Sequence, residues 1–250
     1  MDFERGKLEW LEFDLLQEHP SVLHGVFLRH GGTSEGAYKS LNTSDMIGDN
    51  PECVKANREL IREQMGVSHV TFARQKHGTT IVRINEDNYK SSPEADGLFT
   101  KEPNLGLAMT HADCQAAVFY DPENEVIGVV HAGWKGNVQN IYAEMVRTLQ
   151  EEESTKPENL IVCISPSLGP DHAEFKNYKK EFPEDFWSYQ VQPNHFNLWD
   201  IATKQLTACG VDEKNIEIEE ICTYCNPKDY YSFRREKMTG RHATVAALRP

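Results

Sequence analysis

Between residues 70 and 134 the chain repeats one arrangement three times: a short apolar run with strand character stops at a cluster of small and polar residues. Val70-Thr71-Phe72-Ala73-Arg74-Gln75 runs into Lys76-His77-Gly78. Leu105 to Thr110 and Ala116 to Tyr120 flank His111-Ala112-Asp113-Cys114. Val126 to Val130 ends at His131-Ala132-Gly133-Trp134. Short apolar runs bounded by turn residues are read as buried strands. Strand ends are where rigid scaffolds present functional side chains. The small residues among the polar ones leave room for a ligand to approach.

Helical segments alternate with these strands. Pro51 to Met65 has proline in the first turn, Val54, Leu60 and Ile61 at helical spacing, and Gly66 as its stop. Asn137 to Gln150 carries Val138, Ile141, Met145 and Leu149 on one stripe, which predicts a single amphipathic helix. Trp199 to Cys209 reads as a helix closed by Gly210. Further strands are expected in the first 30 residues, at Thr79 to Ile84, at Leu160 to Ile164 and at Ala243 to Leu248. Arg29 to Asn42 reads as a long ordered loop, and Ser165 to Pro170 as a tight one. No low-complexity linker or internal repeat divides the chain, so residues 1–250 read as one domain of mixed α and β layers. A chain of 250 residues buries roughly three quarters of its unfolded surface, and needs no disulfide framework to do so.

Twenty-six basic residues against 39 acidic ones give a formal charge of −13. That argues against nucleic acid or an anionic membrane as a partner, since both are polyanions, but permits a small anionic substrate held by local arginines. The acidic stretches at Glu151-Glu152-Glu153 and Glu217 to Glu220 read as solvated faces. The N-terminus lacks the pattern of a signal peptide, and no apolar run approaches the ~18 residues of a membrane span. A cytoplasmic, reduced setting is therefore expected. There, six cysteines serve more often as thiols, ligands or nucleophiles than as disulfides.

The three polar segments offer His77, His111, Cys114 and His131. Two imidazoles and one thiolate suit Zn²⁺ with a fourth position left to water or substrate, and the same set accommodates copper. Asp113 adjoins the candidate ligand cysteine and could act as a base or orient a water. Elsewhere, Cys222-Thr223-Tyr224-Cys225 reads as a pair of buried thiols rather than a redox or zinc motif, and Cys53, Cys163 and Cys209 read as core. Arg234, Arg235 and Arg241 fit a surface face and a phosphate-binding patch equally well.

Taken together and in order, the segments resemble a known family. They are Arg29-His30-Gly31-Gly32-Thr33-Ser34, Leu41-Asn42, Gly48-Asp49, Asn57-Arg58, Gln75-Lys76-His77-Gly78, Ala95-Asp96-Gly97-Leu98, Ala112-Asp113-Cys114, His131-Ala132-Gly133-Trp134-Lys135-Gly136, and Tyr231-Ser232-Phe233-Arg234-Arg235 with Thr239-Gly240-Arg241. The chain is similar to the bacterial multicopper polyphenol oxidoreductase-like, or laccase-domain, proteins of the YfiH/YlmD type. The resemblance implies an α+β fold, a layered α/β/β/α sandwich with mixed sheets. It places the family's metal ligands on His77, Cys114 and His131, and leaves His111 out.

It further implies chemistry on purine nucleosides: phosphorolysis of adenosine, inosine and methylthioadenosine with inorganic phosphate as co-substrate, and deamination of adenosine, with zinc as the metal. Catalytic roles then fall to His77, Cys114, His131 and Asp113, the last as a proton shuttle. Arg29, Asn42, Arg58 and Arg235 become substrate-side candidates, the arginines as phosphate holders. A bound metal would acidify water for deamination, to a pKa of ~7 in favourable sites. Two departures stand out. Asp171, His172 and Ala173 occupy positions where the family has two cysteines and an aromatic, which removes any role of those cysteines, and Thr203 replaces a usual asparagine. Three other readings stay open: a copper-dependent polyphenol oxidase, for which the sequence offers ligands to only one metal; a metal-free hydrolase with Cys114 as nucleophile; and a non-enzymatic partner module, which gives no reason for polar groups to converge at three strand ends.

Overall fold

The computed structural model describes residues 6–250. Its strands are β1 (Trp10–Leu11), β2 (Val22–Phe27), β3 (His69–Phe72), β4 (Ile81–Arg83), β5 (Gly97–Thr100), β6 (Leu105–His111), β7 (Gln115–Asp121), β8 (Val126–Ala132), β9 (Ile161–Ile164), β10 (Gln190–Gln192), β11 (His195–Phe196), β12 (Ile216–Ile218) and β13 (His242–Leu248). They form two mixed sheets, ordered β1-β2-β13-β6-β3 and β12-β9-β7-β8-β5-β4, and a small β10-β11 pair. The β3/β6, β4/β5 and β9/β12 pairs are parallel, and the other neighbours are antiparallel.

The period-two alternation of side chains along a strand decides which layer each residue joins. From β7, Ala116, Val118 and Tyr120 enter a core between the two sheets, where they meet Leu107 and Met109 of β6 and Ala246 and Leu248 of β13. Ala117 and Phe119 face the other way, against Ile141, Tyr142, Met145 and Leu149 of helix Ile141–Glu153 and Ala202 and Leu206 of helix Leu198–Ala208. On the far side, Phe27, Ala243, Val245 and Ala247 pack with Ile61 and Met65 of helix Pro51–Met65. The result is the expected α/β/β/α sandwich with mixed sheets. Because both faces of the central strands are covered, their sequences are apolar throughout rather than alternating.

Local chemistry sets the helix ends. Asn50 accepts from the backbone N–H of Glu52 ahead of Pro51, and Gly66 closes that helix in the left-handed region at φ 66°. Asn197 likewise caps Leu198–Ala208 by accepting from Trp199 and Asp200 N–H. The single helix expected over Asn137 to Gln150 is two: Trp134–Val138 and Ile141–Glu153. Asn140 sits between them in the left-handed region, φ 57°, and caps the second by accepting from Ala143 N–H, so an apolar stripe that looks continuous is interrupted by backbone conformation. Asp14–Gln17 forms a helical turn inside the expected N-terminal strand region, and Phe233–Glu236 forms another ahead of the last strand.

Candidate metal centre

Strand register brings the trio together. In the β7/β8 pair, Ala116 lies opposite His131 and Gln115 opposite Ala132, so Cys114, one residue before β7, falls beside the turn that follows β8. In the β5/β8 pair, Gly97 lies opposite Val130, which sets Asp96 beside His131; the His131 N–H donates to the Asp96 carbonyl at 2.7 Å. Parallel pairing of β4 with β5 then carries the loop before β4, and with it His77, to the same sheet end. The donor atoms of His77, Cys114 and His131 all lie within 4.8 Å of one another. The two imidazole rings meet edge to face with centroids 4.9 Å apart.

Asp96 holds this arrangement. It is buried, and its carboxylate accepts from the backbone N–H groups of Lys76 (3.0 Å), His77 (2.9 Å) and Gly78 (2.8 Å), and bonds His131 Nδ1 at 3.1 Å. One carboxylate thus shapes the His77 turn and commits His131 Nδ1, leaving Nε2 for an ion. An imidazole ligand whose second nitrogen is fixed by a carboxylate is the usual outer support of a metal site. Two residues here lie in the left-handed region, His77 at φ 59° and Asp113 at φ 83°, a costly conformation for residues with a Cβ, and one that concentrates at functional sites. Gly133 completes the cradle: a Cβ there would lie 3.1 Å from Cys114 Sγ and 3.2 Å from His77 Cδ2.

The electrostatics match a ligand set. Burial alone would raise the Cys114 thiol, but the charge of His131 and hydrogen bonds from His131 and His77 outweigh it and bring the thiol down to about 6. For His131, burial pulls down, and the Cys114 charge with the Asp96 bond pushes up to about 9. Burial also opposes the Asp96 carboxylate, yet His131 and the amides of Gly78 and Lys76 keep it below its ordinary value. Two nitrogens, a low-pKa sulfur, an orienting carboxylate and an open side are a donor set that fits zinc, and also copper.

Two of the trio, His77 and Cys114, line a cavity of roughly 460 Å³, while His131 is buried; its walls include Trp134, Phe175 and Phe233, with Arg234, Lys176 and Lys237 as cations and Glu174 and Glu181 as anions. That volume falls within the usual range for small-molecule sites. Asp113 also lines it, with both oxygens engaged: Thr223 Oγ1 donates to one at 2.7 Å and the Arg234 N–H to the other. This ties Asp113, the proton shuttle expected from the sequence, to two loops.

The other expected substrate residues lie off this cavity, each satisfied by nearby protein groups. Arg29 donates to the carbonyls of Lys39 and Pro227 and pairs with Glu236. Asn42 is fully buried and donates to Ser44 and Asp49. Arg58 donates to the Thr43 carbonyl, pairs with Asp45 and stacks on Phe72. Arg235 donates to the carbonyls of Thr223, Tyr224 and Tyr230. The arginine that reaches the cavity is its neighbour Arg234. His111 is buried in the other sheet against Thr244 and His242, as the family resemblance implied. The Cys222/Cys225 pair corrects another expectation. Cys225 is exposed and Cys222 only partly buried, and both lie against His172. Cys209 is likewise only partly buried, while Cys53 and Cys163 are core.

Comparison with known proteins agrees with the geometry. A family model described as multi-copper polyphenol oxidoreductase laccase matches residues 23–249. The purine nucleoside phosphorylase YlmD of Bacillus subtilis is 30% identical over 252 residues, covering 93% of this chain and 91% of that protein. A purine nucleoside phosphorylase of Bacteroides thetaiotaomicron is 29% identical over 244 residues, 90% of each chain. Among solved structures, YlmD from Geobacillus stearothermophilus superposes with a TM-score of 0.87 at 27% identity, over 100% of this chain and 98% of that one. The Bacillus licheniformis hypothetical protein YfiH superposes with a TM-score of 0.88 at 26% identity, over 96% of each. With the sandwich, the strand-end trio and near full-length similarity in agreement, the chain belongs to the laccase-domain family of YfiH/YlmD-type proteins.

Proposed function

We propose that this protein is a metal-dependent purine nucleoside phosphorylase, with zinc as its metal. The observation that carries the reading is one cavity lined by two members of the His₂Cys donor trio, His77 and Cys114, with aromatic walls and the cations Arg234, Lys176 and Lys237. It has the support of relatives that bear the phosphorylase name. His77, Cys114 and His131 would hold the ion, which when bound supplies a fixed positive charge and Lewis acidity.

The reaction forms a bond from a phosphate oxygen to the anomeric carbon of ribose and breaks the bond from that carbon to the purine nitrogen. The base leaves with the bonding pair and takes up a proton. Trp134, Phe175 and Phe233 provide flat apolar surface for the purine. Arg234 donates from one terminal nitrogen to the carbonyls of His172 and Glu174, which fixes the guanidinium while its other donors remain for phosphate. Lys176 and Lys237 add charge to the same cavity. Glu174 and Glu181 present negative charge toward a sugar that becomes cationic as the glycosidic bond breaks. Asp113 positions the 223 and 234 loops around this space.

Zinc-loaded protein with inosine or adenosine and inorganic phosphate is expected to yield free base and ribose 1-phosphate, and methylthioadenosine to yield adenine and methylthioribose 1-phosphate. No free base from any of the three would sink the reading. Adenosine without phosphate tests the companion deamination through formation of inosine. The alternative of copper-dependent phenol oxidation draws on the descriptive name of the family. Phosphate-independent oxygen uptake by copper-loaded protein with a phenol would favour it.

A further inference from the structure

Past Gly169-Pro170, among the positions where the family has two cysteines and an aromatic, His172 lies against Cys222 and Cys225. We propose that His172, Cys222 and Cys225 form a second metal site, for a thiophilic divalent cation of which Zn²⁺ is the physiological representative, that clamps together two loops of the cavity wall. The donor atoms of these residues lie within 4.8 Å of one another. His172 Nδ1 is 3.5 Å from Cys225 Sγ and 3.9 Å from Cys222 Sγ. In a tetrahedral zinc site, bonds of ~2.3 Å to sulfur and ~2.0–2.1 Å to nitrogen hold the two donor types about 3.6 Å apart. The side chains therefore stand at nearly the separation that an ion between them imposes.

Independent features prepare the site. Cys222-Thr223-Tyr224-Cys225 has the two-residue spacing of zinc-binding cysteine pairs. The Gly169 N–H donates to Cys222 Sγ at 3.2 Å, which orients the sulfur. A Cβ on Gly169 would come within 2.9 Å of Cys222 Cβ, so this approach requires glycine. The His172 ring stacks on Tyr224 at 4.0 Å and 20°, fixing its plane with Nδ1 toward the sulfurs. Cys225 is exposed, which leaves the fourth position to solvent.

An ion here would join the 169–174 loop, Gly169 and His172 included, to the 222–225 turn. Both loops serve the cavity. Thr223, between the cysteines, donates to Asp113, and the His172 carbonyl accepts from Arg234. The site is thus separate from the His77 trio in its ligands, yet mechanically linked to the same pocket.

The test is metal stoichiometry of full-length protein, purified without a histidine tag and dialysed against trace zinc. Wild type is expected to hold two equivalents, one per trio. Cys222→Ser with Cys225→Ser is expected to hold one, and Cys114→Ser the other one. Cobalt added to Cys114→Ser protein should give the visible bands and thiolate charge-transfer absorption of tetrahedral Co²⁺, weakened by His172→Gln and abolished by the double serine change. Should the double variant not fold, His172→Gln read through the same cobalt spectrum and by zinc affinity decides. The proposal is overturned by unchanged zinc content in the double variant, by a Cys114→Ser protein that binds no cobalt through thiolate, or by a Cys222–Cys225 disulfide in protein kept under reducing conditions. None of these readouts depends on phosphorylase activity, so the site can fail while the functional reading stands, and the reverse.

Discussion

The two donor trios are near mirror images in composition and opposites in setting. His77, Cys114 and His131 offer two nitrogens and one sulfur from the loop before β4 and the adjoining ends of β7 and β8, with His131 buried and Asp96 behind it. His172, Cys222 and Cys225 offer one nitrogen and two sulfurs from two loops, with Cys225 exposed and, among the described residues, no carboxylate hydrogen-bonded to the imidazole. Strands fix the first set through register, before any ion binds. The second is fixed by loop contacts: the bridge of Ser167 with Cys222, the Gly169 N–H on Cys222 Sγ, the stack of His172 on Tyr224, and the hydrogen bonds that Thr223, Arg234 and Arg235 donate. Precision built into a sheet suits chemistry, whereas loops gain more order from an ion than they bring to it.

This contrast predicts very unequal effects of ligand removal. Cys114→Ser or His131→Ala is expected to lower kcat/KM on the order of 10³-fold or more, the upper range for losing a principal electrostatic group, while the fold persists because the sandwich core lies elsewhere. His172→Gln should change kcat/KM far less. Equal losses at the two trios, measured by steady-state phosphorolysis at saturating zinc, would erase the distinction. Next in size is Asp96→Asn. Outer-shell partners of metal-bound histidines are worth about 10–100-fold in metal affinity or activity, and Asp96 also organises three amides. Competitive chelation should show weaker zinc binding at the first site alone. Unchanged affinity would mean that register, without Asp96, positions His131.

The strands and helices that carry most of this comparison were legible because apolar runs, prolines and glycines mark them directly, and the His77/Cys114/His131 trio was legible because each member closes such a run. Asp96 was not. In Ala95-Asp96-Gly97 an acid looks like an ordinary turn residue, β5 is four residues long, and nothing local shows that the carboxylate gathers amides from 76–78. Arg234 and Arg235 are adjacent, and which one reaches the cavity depends on the helical turn Phe233–Glu236, a feature too short to leave a periodic signal. The second trio escaped for a different reason: His172 is 50 residues from Cys222, and its two loops meet only once the sandwich is folded.

A smaller effect separates the two sets of thiols in metal-free protein. With its pKa lowered to about 6, Cys114 stays a thiolate as pH falls from 9 toward 6, while Cys225 is pushed upward, by desolvation first and then by Cys222, and loses its thiolate over the same range. The nucleophilicity of a thiolate decreases with its pKa, so the advantage of Cys114 in alkylation at pH 7 is smaller than the full difference in thiolate fraction. Iodoacetamide labelling followed by peptide mass spectrometry reads each cysteine. Faster labelling of Cys225 after exposure is taken into account would remove the electrostatic distinction between the sites.

Thr223 gives the finest test, because it belongs to both regions. Its hydroxyl donates to Asp113 at 2.7 Å, and a bond to a charged group contributes about 1.5–3 kcal/mol when it acts alone. Here the Arg234 N–H still holds the other Asp113 oxygen, so Thr223→Val should cost only part of that, a few-fold in kcat/KM where 1.4 kcal/mol is tenfold. Both zinc equivalents should remain, since no ligand changes. If removing the second ion lowers kcat/KM by the same factor, and does nothing further in the Thr223→Val background, the path from the loop site to the cavity runs through this hydroxyl. Independent, multiplying effects would show that the clamp acts on the cavity by another route, for which the contact of Arg234 with the His172 carbonyl is the next candidate.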